Sequence, residues 1–145
     1  MNQIMEFMRK DHDRLDNIFI SIKEIKLSSL EKAKSLFIEF ETGLLRHIVW
    51  EEEILFHSFE AETGMRHGGP TAVMRTEHQQ IKGLLQQIRR KLEINDIQTE
   101  DEERSLFQIL NSHNIKEETI LYPWIDRTLG EETRQDMISK MTRDI

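Results

Sequence analysis

The chain has 145 residues, a formal net charge of −7 and no cysteine. The negative charge argues against a nucleic-acid partner, and the lack of cysteine excludes disulfides, thiolate metal sites and iron–sulfur clusters within this chain. With 37% hydrophobic, 32% charged and 7% aromatic residues and 2 prolines, the composition is typical of long amphipathic helices. We expect a single domain over residues 1–145, no membrane span and a cytoplasmic location.

Apolar residues recur every three or four positions in four segments, as one buried helix face requires. The first predicted helix covers residues 5–22. The second follows a predicted capping box formed by Ser28 and Glu31 and continues to about residue 61. Residues 62–71 contain glycines and a proline, which predict the central loop and the first turn of the next helix.

The third predicted helix covers residues 74–92 and ends near Asn95. The fourth begins at a predicted cap formed by Thr99 with Glu102, and we expect Pro123 to kink or end it because proline lacks a backbone donor.

Two shorter segments complete the predicted layout. Residues 101–104 predict a solvated helix start, and residues 131–141 predict a short closing helix after Gly130. Together the segments predict an all-α fold, an antiparallel up-down four-helix bundle with a short C-terminal helix.

The sequence also repeats itself after 66 residues. In this repeat His12 matches His78, His47 matches His113, Glu51 matches Glu117, Glu52 matches Glu118, Leu55 matches Leu121 and Phe56 matches Tyr122. The chain is therefore predicted to consist of two similar helical hairpins. At about 1.5 Å per helical residue, antiparallel packing brings all four repeated histidines to a similar depth in the bundle.

Six ionisable residues occupy positions where the helical pattern calls for an apolar side chain. They are His12, His47, Glu51, His78, His113 and Glu117. Burying unpaired carboxylates and imidazoles costs several kcal/mol, so the pattern predicts that cations compensate for them. Imidazole and carboxylate without thiolate suit non-haem iron, with manganese or zinc as alternative metals.

The segments KDHDRL, HIVWEEEILF, GGPTAVMRTEH and HNIKEETILYP resemble those of hemerythrin-like, or HHE cation-binding, proteins over essentially the whole chain. The resemblance implies two non-haem iron ions (Fe2+/Fe3+) with an oxo or hydroxo bridge. It further implies that Glu51 and Glu117 bridge the irons and that the four repeated histidines are terminal ligands.

The sequence departs from the oxygen-carrying members of this family at two positions. They have HxxxH on the third helix, whereas Met74 lies four residues before His78 here. They also tend to have an aspartate five residues after the last-helix histidine, whereas Glu117 lies four residues after His113. The resemblance therefore favours redox chemistry at open metal positions over reversible oxygen carriage.

Other candidate residues are predicted to have packing or surface roles. His57 lies off the helical stripe and His67 lies in the glycine-rich loop, so both are expected on the surface. Trp50, Trp124 and Tyr122 are expected to pack in the core or at its rim, with Tyr122 as an additional hydrogen-bond donor or radical partner.

Three functions are consistent with these features. The first is a di-iron protein that binds, senses or reduces O2, NO or peroxide, with oxidoreductase activity and a redox partner as open questions. The second is an iron donor or sensor that acts in iron–sulfur cluster repair or in regulation of a partner. The third is a metal-free helical interaction module, whose thermal stability would not respond to chelation.

Overall fold

The computed structural model describes residues 2–145, which form five helices and no strand. Helix α1 spans Gln3–Ile25, α3 spans Pro70–Glu93 and α5 spans Glu131–Arg143. Helix α2 covers residues 30–63 and consists of Leu30–Val49, a π-helical segment Trp50–Leu55, and Phe56–Thr63. Helix α4 covers residues 100–128 and consists of Glu100–Lys116, a π-helical segment Glu117–Leu121, and Tyr122–Thr128.

Short connections join the four long helices, at residues 26–29, 64–69 and 94–99. Connections of this length place consecutive helices side by side and antiparallel, so the predicted all-α bundle is confirmed. Within residues 2–145, no helix is long and apolar enough to cross a lipid bilayer.

The buried apolar side chains form two separate clusters, one toward each end of the bundle. On α1, His12 follows Met8 of the first cluster and precedes Leu15 of the second. On α3, His78 lies between residues of the same two clusters. The predicted polar residues thus form a layer between two apolar blocks, which shield that layer from solvent.

Helix α5 closes the end of the bundle that holds the first cluster. Met137 and Met141 are 2% and 0% exposed and belong to that cluster. Arg134 donates to the carbonyl oxygens of Asp126 at 2.8 Å and of Leu129, which fixes the start of α5 against the end of α4. The predicted closing helix is therefore present and extends two residues beyond its predicted end.

The predicted cap of the second helix is wrong by one residue. Ser29, with an extended backbone, is the N-cap, and its side chain accepts a hydrogen bond of 3.3 Å from the backbone N–H of Lys32. The Ser28 hydroxyl instead donates to the carbonyl oxygen of Ile25 at 3.2 Å. Only one of two adjacent serines can have the cap geometry, and the backbone dihedral angles select the second.

A buried ion pair joins the end of α1 to the start of α4, where a solvated helix start is expected from the sequence. The Lys26 ammonium donates to Glu103 Oε2 at 2.6 Å and to Thr99 Oγ1 at 2.9 Å, and the Thr99 hydroxyl donates to Glu103. Lys26 is 6% exposed and Glu103 is 4% exposed. The expectation of a solvated segment is thus wrong at Glu103, and Thr99 occupies the N-cap position without a side-chain cap bond.

Pro123 does not end the fourth helix, which continues to Thr128. The π-helical segment Glu117–Leu121 immediately precedes the proline, and the backbone N–H of Tyr122 donates to the carbonyl oxygen of Glu117 across five residues. This wider turn moves the upstream carbonyl groups away from the proline ring, which would clash with one of them in a regular α-helix. The helix therefore accommodates the proline.

Candidate metal centre

The six ionisable residues singled out from the sequence meet in one layer of the bundle, and each is at most 3% exposed. Their ligand-type atoms form two groups, each with all atoms within 4.8 Å of one another. We call Glu51, His78, His113 and Glu117 the four-residue group, and His12, His47 and Glu117 the three-residue group. Glu117 is common to both groups.

The two oxygens of Glu117 face different groups. Oε2 lies 3.1 Å from His113 Nε2, and Oε1 lies 3.2 Å from His12 Nε2. Glu51 is less evenly placed, because its Oε1 lies 3.0 Å from His78 Nε2 but 3.9 Å from His47 Nε2. Glu117 is therefore positioned between the groups, whereas Glu51 lies closer to the four-residue group.

Each of the four histidines has a carboxylate oxygen within hydrogen-bond distance of Nδ1. The pairs are His12 with Glu118 at 2.8 Å, His47 with Asp11 at 2.8 Å, His78 with Glu52 at 2.6 Å and His113 with Glu77 at 2.7 Å. A carboxylate at Nδ1 holds a proton there and leaves Nε2 pointing inward, as the nitrogen that would bind a metal once it is deprotonated. All four rings are thus oriented with Nε2 toward the centre of the layer.

Reasoning from the helical stripe does not find these outer carboxylates, because they lie on its edge. The 66-residue repeat contains a signal for them. Asp11 and Glu77 are repeat equivalents that each precede a histidine, and Glu52 and Glu118 are repeat equivalents that each follow a buried glutamate. The repeat therefore includes the carboxylates that orient the imidazole rings as well as the histidines themselves.

The π-helical segments bring one further side chain to the layer. In a regular α-helix, residues five positions apart point about 140° away from each other. The N–H of Tyr122 bonds to the carbonyl of Glu117 across five residues, and the N–H of Phe56 bonds in the same way to Glu51. The extra residue in the turn places both members of each pair on the same side of the helix. Tyr122, whose hydroxyl lies 2.9 Å from Glu117 Oε1, therefore faces the site.

The buried carboxylates determine how the site holds protons in the absence of metal. Burial lowers the pKa of His12, but the hydrogen bonds to Glu117 and Glu118 outweigh it and raise the pKa to about 10. Burial likewise lowers the pKa of His113, while the charge and hydrogen bond of Glu117 raise it to about 9. Burial and the charge of Glu117 together raise the pKa of Glu51. Protons on imidazoles thus supply positive charge that a metal ion would replace.

The donor set and its charge fit a metal cation. Among the described residues, histidines are the only basic side chains within salt-bridge distance of Glu51 and Glu117. Glu117 Oε2 is buried and has no well-aligned hydrogen-bond donor, although His113 Nε2 is 3.1 Å away. A buried carboxylate oxygen with an unused lone pair is costly unless a cation binds it.

The remaining two histidines lie outside this layer. His57 and His67 are both exposed, as the sequence predicts. Trp50 is fully buried in the first apolar cluster and Trp124 is partly buried against it, in agreement with their predicted packing roles.

Comparison with known proteins identifies the family. The family model for the Hemerythrin HHE cation binding domain matches residues 3–142. An uncharacterized hemerythrin-like protein of Schizosaccharomyces pombe is 28% identical over 145 residues, which cover 99% of this chain and 69% of that protein. No solved structure matches the chain. Since the family match extends over nearly all of the sequence and its buried histidines and glutamates form a layer suited to cations, the chain belongs to the hemerythrin HHE cation-binding domain family.

Proposed function

We propose that the buried layer binds two non-haem iron ions and that the protein uses them to bind, sense or reduce a small oxidant such as O2, NO or peroxide. The observation that carries this proposal is the position of Glu117, whose two oxygens face two separate groups of buried donors. A carboxylate placed in this way can hold two ions at once.

Each of the two donor groups corresponds to one of the two proposed ions. The four-residue group would hold one ion and the three-residue group the other, with Glu117 shared between them. Nitrogen and oxygen donors without thiolate suit iron, which would supply one-electron redox chemistry and binding positions for a small molecule. The outer carboxylates of the chain keep each imidazole ready to donate its Nε2 lone pair.

The surroundings of the site favour a small uncharged ligand. All six proposed ligands are at most 3% exposed, which excludes a bulky substrate from direct contact. A shallow pocket of about 160 Å³ lies next to the layer, and its lining includes Met74 and Leu121. Each of these residues lies one helical turn from a proposed ligand, and both belong to the first apolar cluster. Dioxygen, nitric oxide and hydrogen peroxide are far smaller than this pocket, and we infer that such molecules enter on this side of the bundle.

The same burial disfavours the alternative role as an iron donor. A protein that passes iron to a partner needs ligands that the partner can approach, whereas here the apolar clusters enclose them. Incubation of the iron-loaded protein with an apo iron–sulfur protein under reducing conditions tests this role. Transfer of iron within minutes would favour the donor function over the proposed one.

Metal analysis of three purified variants tests the iron site itself. We expect about two irons per chain in the wild type and in His57→Ala, whose side chain is exposed and belongs to neither donor group. Glu117→Ala should lose most of the iron because the shared carboxylate serves both ions, and His12→Ala should keep a partly loaded site. A wild type that holds one tightly bound zinc and no iron, or Glu117→Ala with two irons, would refute the assignment.

A second experiment addresses the oxidant. The iron-loaded protein is reduced anaerobically and then exposed separately to O2, NO and hydrogen peroxide while its absorption spectrum is recorded. A stable spectral change indicates binding, and repeated return to the starting spectrum with excess reductant indicates turnover. If none of the three molecules changes the spectrum, the proposed function is wrong.

A further inference from the structure

The two halves of the metal layer correspond closely under the 66-residue repeat. In one half, the ring of Tyr122 stacks on His12, with centroids 5.8 Å apart and an angle of 30° between the rings. In the other half, the repeat-equivalent Phe56 stacks on His78, with centroids 5.9 Å apart and an angle of 5°. At this pair of positions the halves differ chemically by a single atom, the phenolic oxygen of Tyr122.

That oxygen lies among the donors of the three-residue group. It is 3.3 Å from His12 Nε2 and 3.3 Å from His47 Nε2. It is also 2.7 Å from Glu51 Oε2 and 2.9 Å from Glu117 Oε1, and the whole residue is fully buried. A hydroxyl has one proton and can donate to only one of these atoms. The remaining neighbours are atoms that bind cations, which makes this position suited to a metal-bound oxygen donor from the protein.

The two groups also differ in the number of donors that they offer. The four-residue group includes Glu51, whereas the three-residue group does not, because Glu51 lies closer to His78 than to His47. The phenolic oxygen is on the side that lacks the fourth donor. With Tyr122 included, both groups have four protein donors.

We propose that Tyr122, as a phenolate, is the fourth protein ligand of the metal ion held by His12, His47 and Glu117. This inference rests on the proposed function, because it requires an ion in the three-residue group. When the ion binds, the phenolic O–H bond breaks, the oxygen keeps the electron pair and donates it to the ion, and the proton passes to solvent.

The metal-free protein keeps this phenol protonated. Burial, followed by the charges of Glu117 and Glu51, raises the pKa of Tyr122 well above its usual range. A cation in the three-residue group would offset this effect, because its positive charge would lie next to the phenolic oxygen and Glu117.

Spectroscopy can test this assignment without ambiguity, because the chain contains a single tyrosine. The protein is loaded with iron, oxidised with ferricyanide and examined by iron analysis, visible absorption and resonance Raman spectroscopy. We expect two irons per chain, a phenolate-to-iron(III) charge-transfer band in the visible range and tyrosinate vibrations enhanced by excitation in that band. Two irons without this band would overturn the Tyr122 assignment and leave the iron site intact. Fewer than two irons would overturn the proposed function and the ligand assignment with it.

The Tyr122→Phe variant provides the matched comparison, since it removes one oxygen and restores the residue type found at Phe56. We expect the band to disappear. The affinity for one of the two irons should fall on the order of tenfold or more, because even the loss of a hydrogen-bond partner of a metal ligand has an effect of this size. Circular dichroism of the metal-free variant checks that it folds, and His57→Ala should keep both irons and the band. If the same visible band and its resonance-enhanced vibrations survive in Tyr122→Phe, they do not come from phenolate and the proposal is overturned, as it is by unchanged affinity for both irons.

Discussion

Raising the pH from 6.5 to 9 should destabilise the metal-free protein. His12 and His113 have pKa values of about 10 and about 9 in the folded state, compared with an ordinary value of 6.5. A histidine whose pKa is raised by folding stabilises the fold fully below 6.5 and loses that stabilisation as the pH rises through its folded pKa. The protonated imidazoles balance Glu117, and this balance is lost as they deprotonate.

The expected size of the effect follows from the same shifts. Each pKa unit corresponds to about 1.4 kcal/mol, so each histidine alone would contribute a loss of about 3 kcal/mol between pH 6.5 and 9. Both histidines interact with Glu117, so their contributions are not independent. We therefore expect a total decrease in the free energy of unfolding of about 3 to 6 kcal/mol.

Urea unfolding of chelator-treated protein at pH 6.5, 7.5 and 9 measures this decrease. The variant His12→Gln removes one titrating group and should show a clearly smaller pH dependence than the wild type. The increase in the free energy of unfolding that iron provides should grow as the pH rises, because protons compete less with iron for the ligands. If the stability of the metal-free protein stays constant or increases from pH 6.5 to 9, the imidazoles are not protonated as the geometry indicates.

Three further predictions concern the outer carboxylates, the buried ion pair and the helix cap. Glu77→Gln should weaken metal binding about 10- to 100-fold in a competition with chelator, because the ring that it orients loses its charged partner; an unchanged affinity would contradict this role. Lys26→Met should lower the free energy of unfolding in urea by about 3 to 5 kcal/mol because Glu103 is left buried and unpaired, and the double variant with Glu103→Leu should recover most of the loss. Ser29→Ala should cost about 1 kcal/mol in the same measurement and Ser28→Ala almost nothing, and the reverse order would show that the cap is misassigned.

Helical periodicity predicts the bundle and its polar layer because both depend on which face of each helix is buried. A histidine or glutamate on the apolar stripe is visible in the sequence, and the structure places all six residues that this pattern singles out, His113 included, together in the layer. The predicted ligand roles of these residues remain a proposal. The 66-residue repeat additionally predicts that the two hairpins contribute equivalent residues to this layer.

Periodicity does not predict features that depend on a change in the helix itself or on contacts between helix ends. The hydroxyl of Tyr122 reaches the layer because a π-helical turn adds one residue, and an apolar pattern does not record this addition. Lys26 and Glu103 are 77 residues apart and meet only when the bundle has formed. Each looks like an ordinary surface charge in the sequence.

The division of donors between the two groups has a kinetic consequence. The four-residue group takes Glu51 from the first hairpin and its other members from the second, and the three-residue group takes Glu117 from the second hairpin and both histidines from the first. If the proposed function holds, an ion in either group would therefore link the two hairpins. Release of such an ion would require the loss of donors from both hairpins, so we expect it to stay bound longer than an ion held by one hairpin or at the surface.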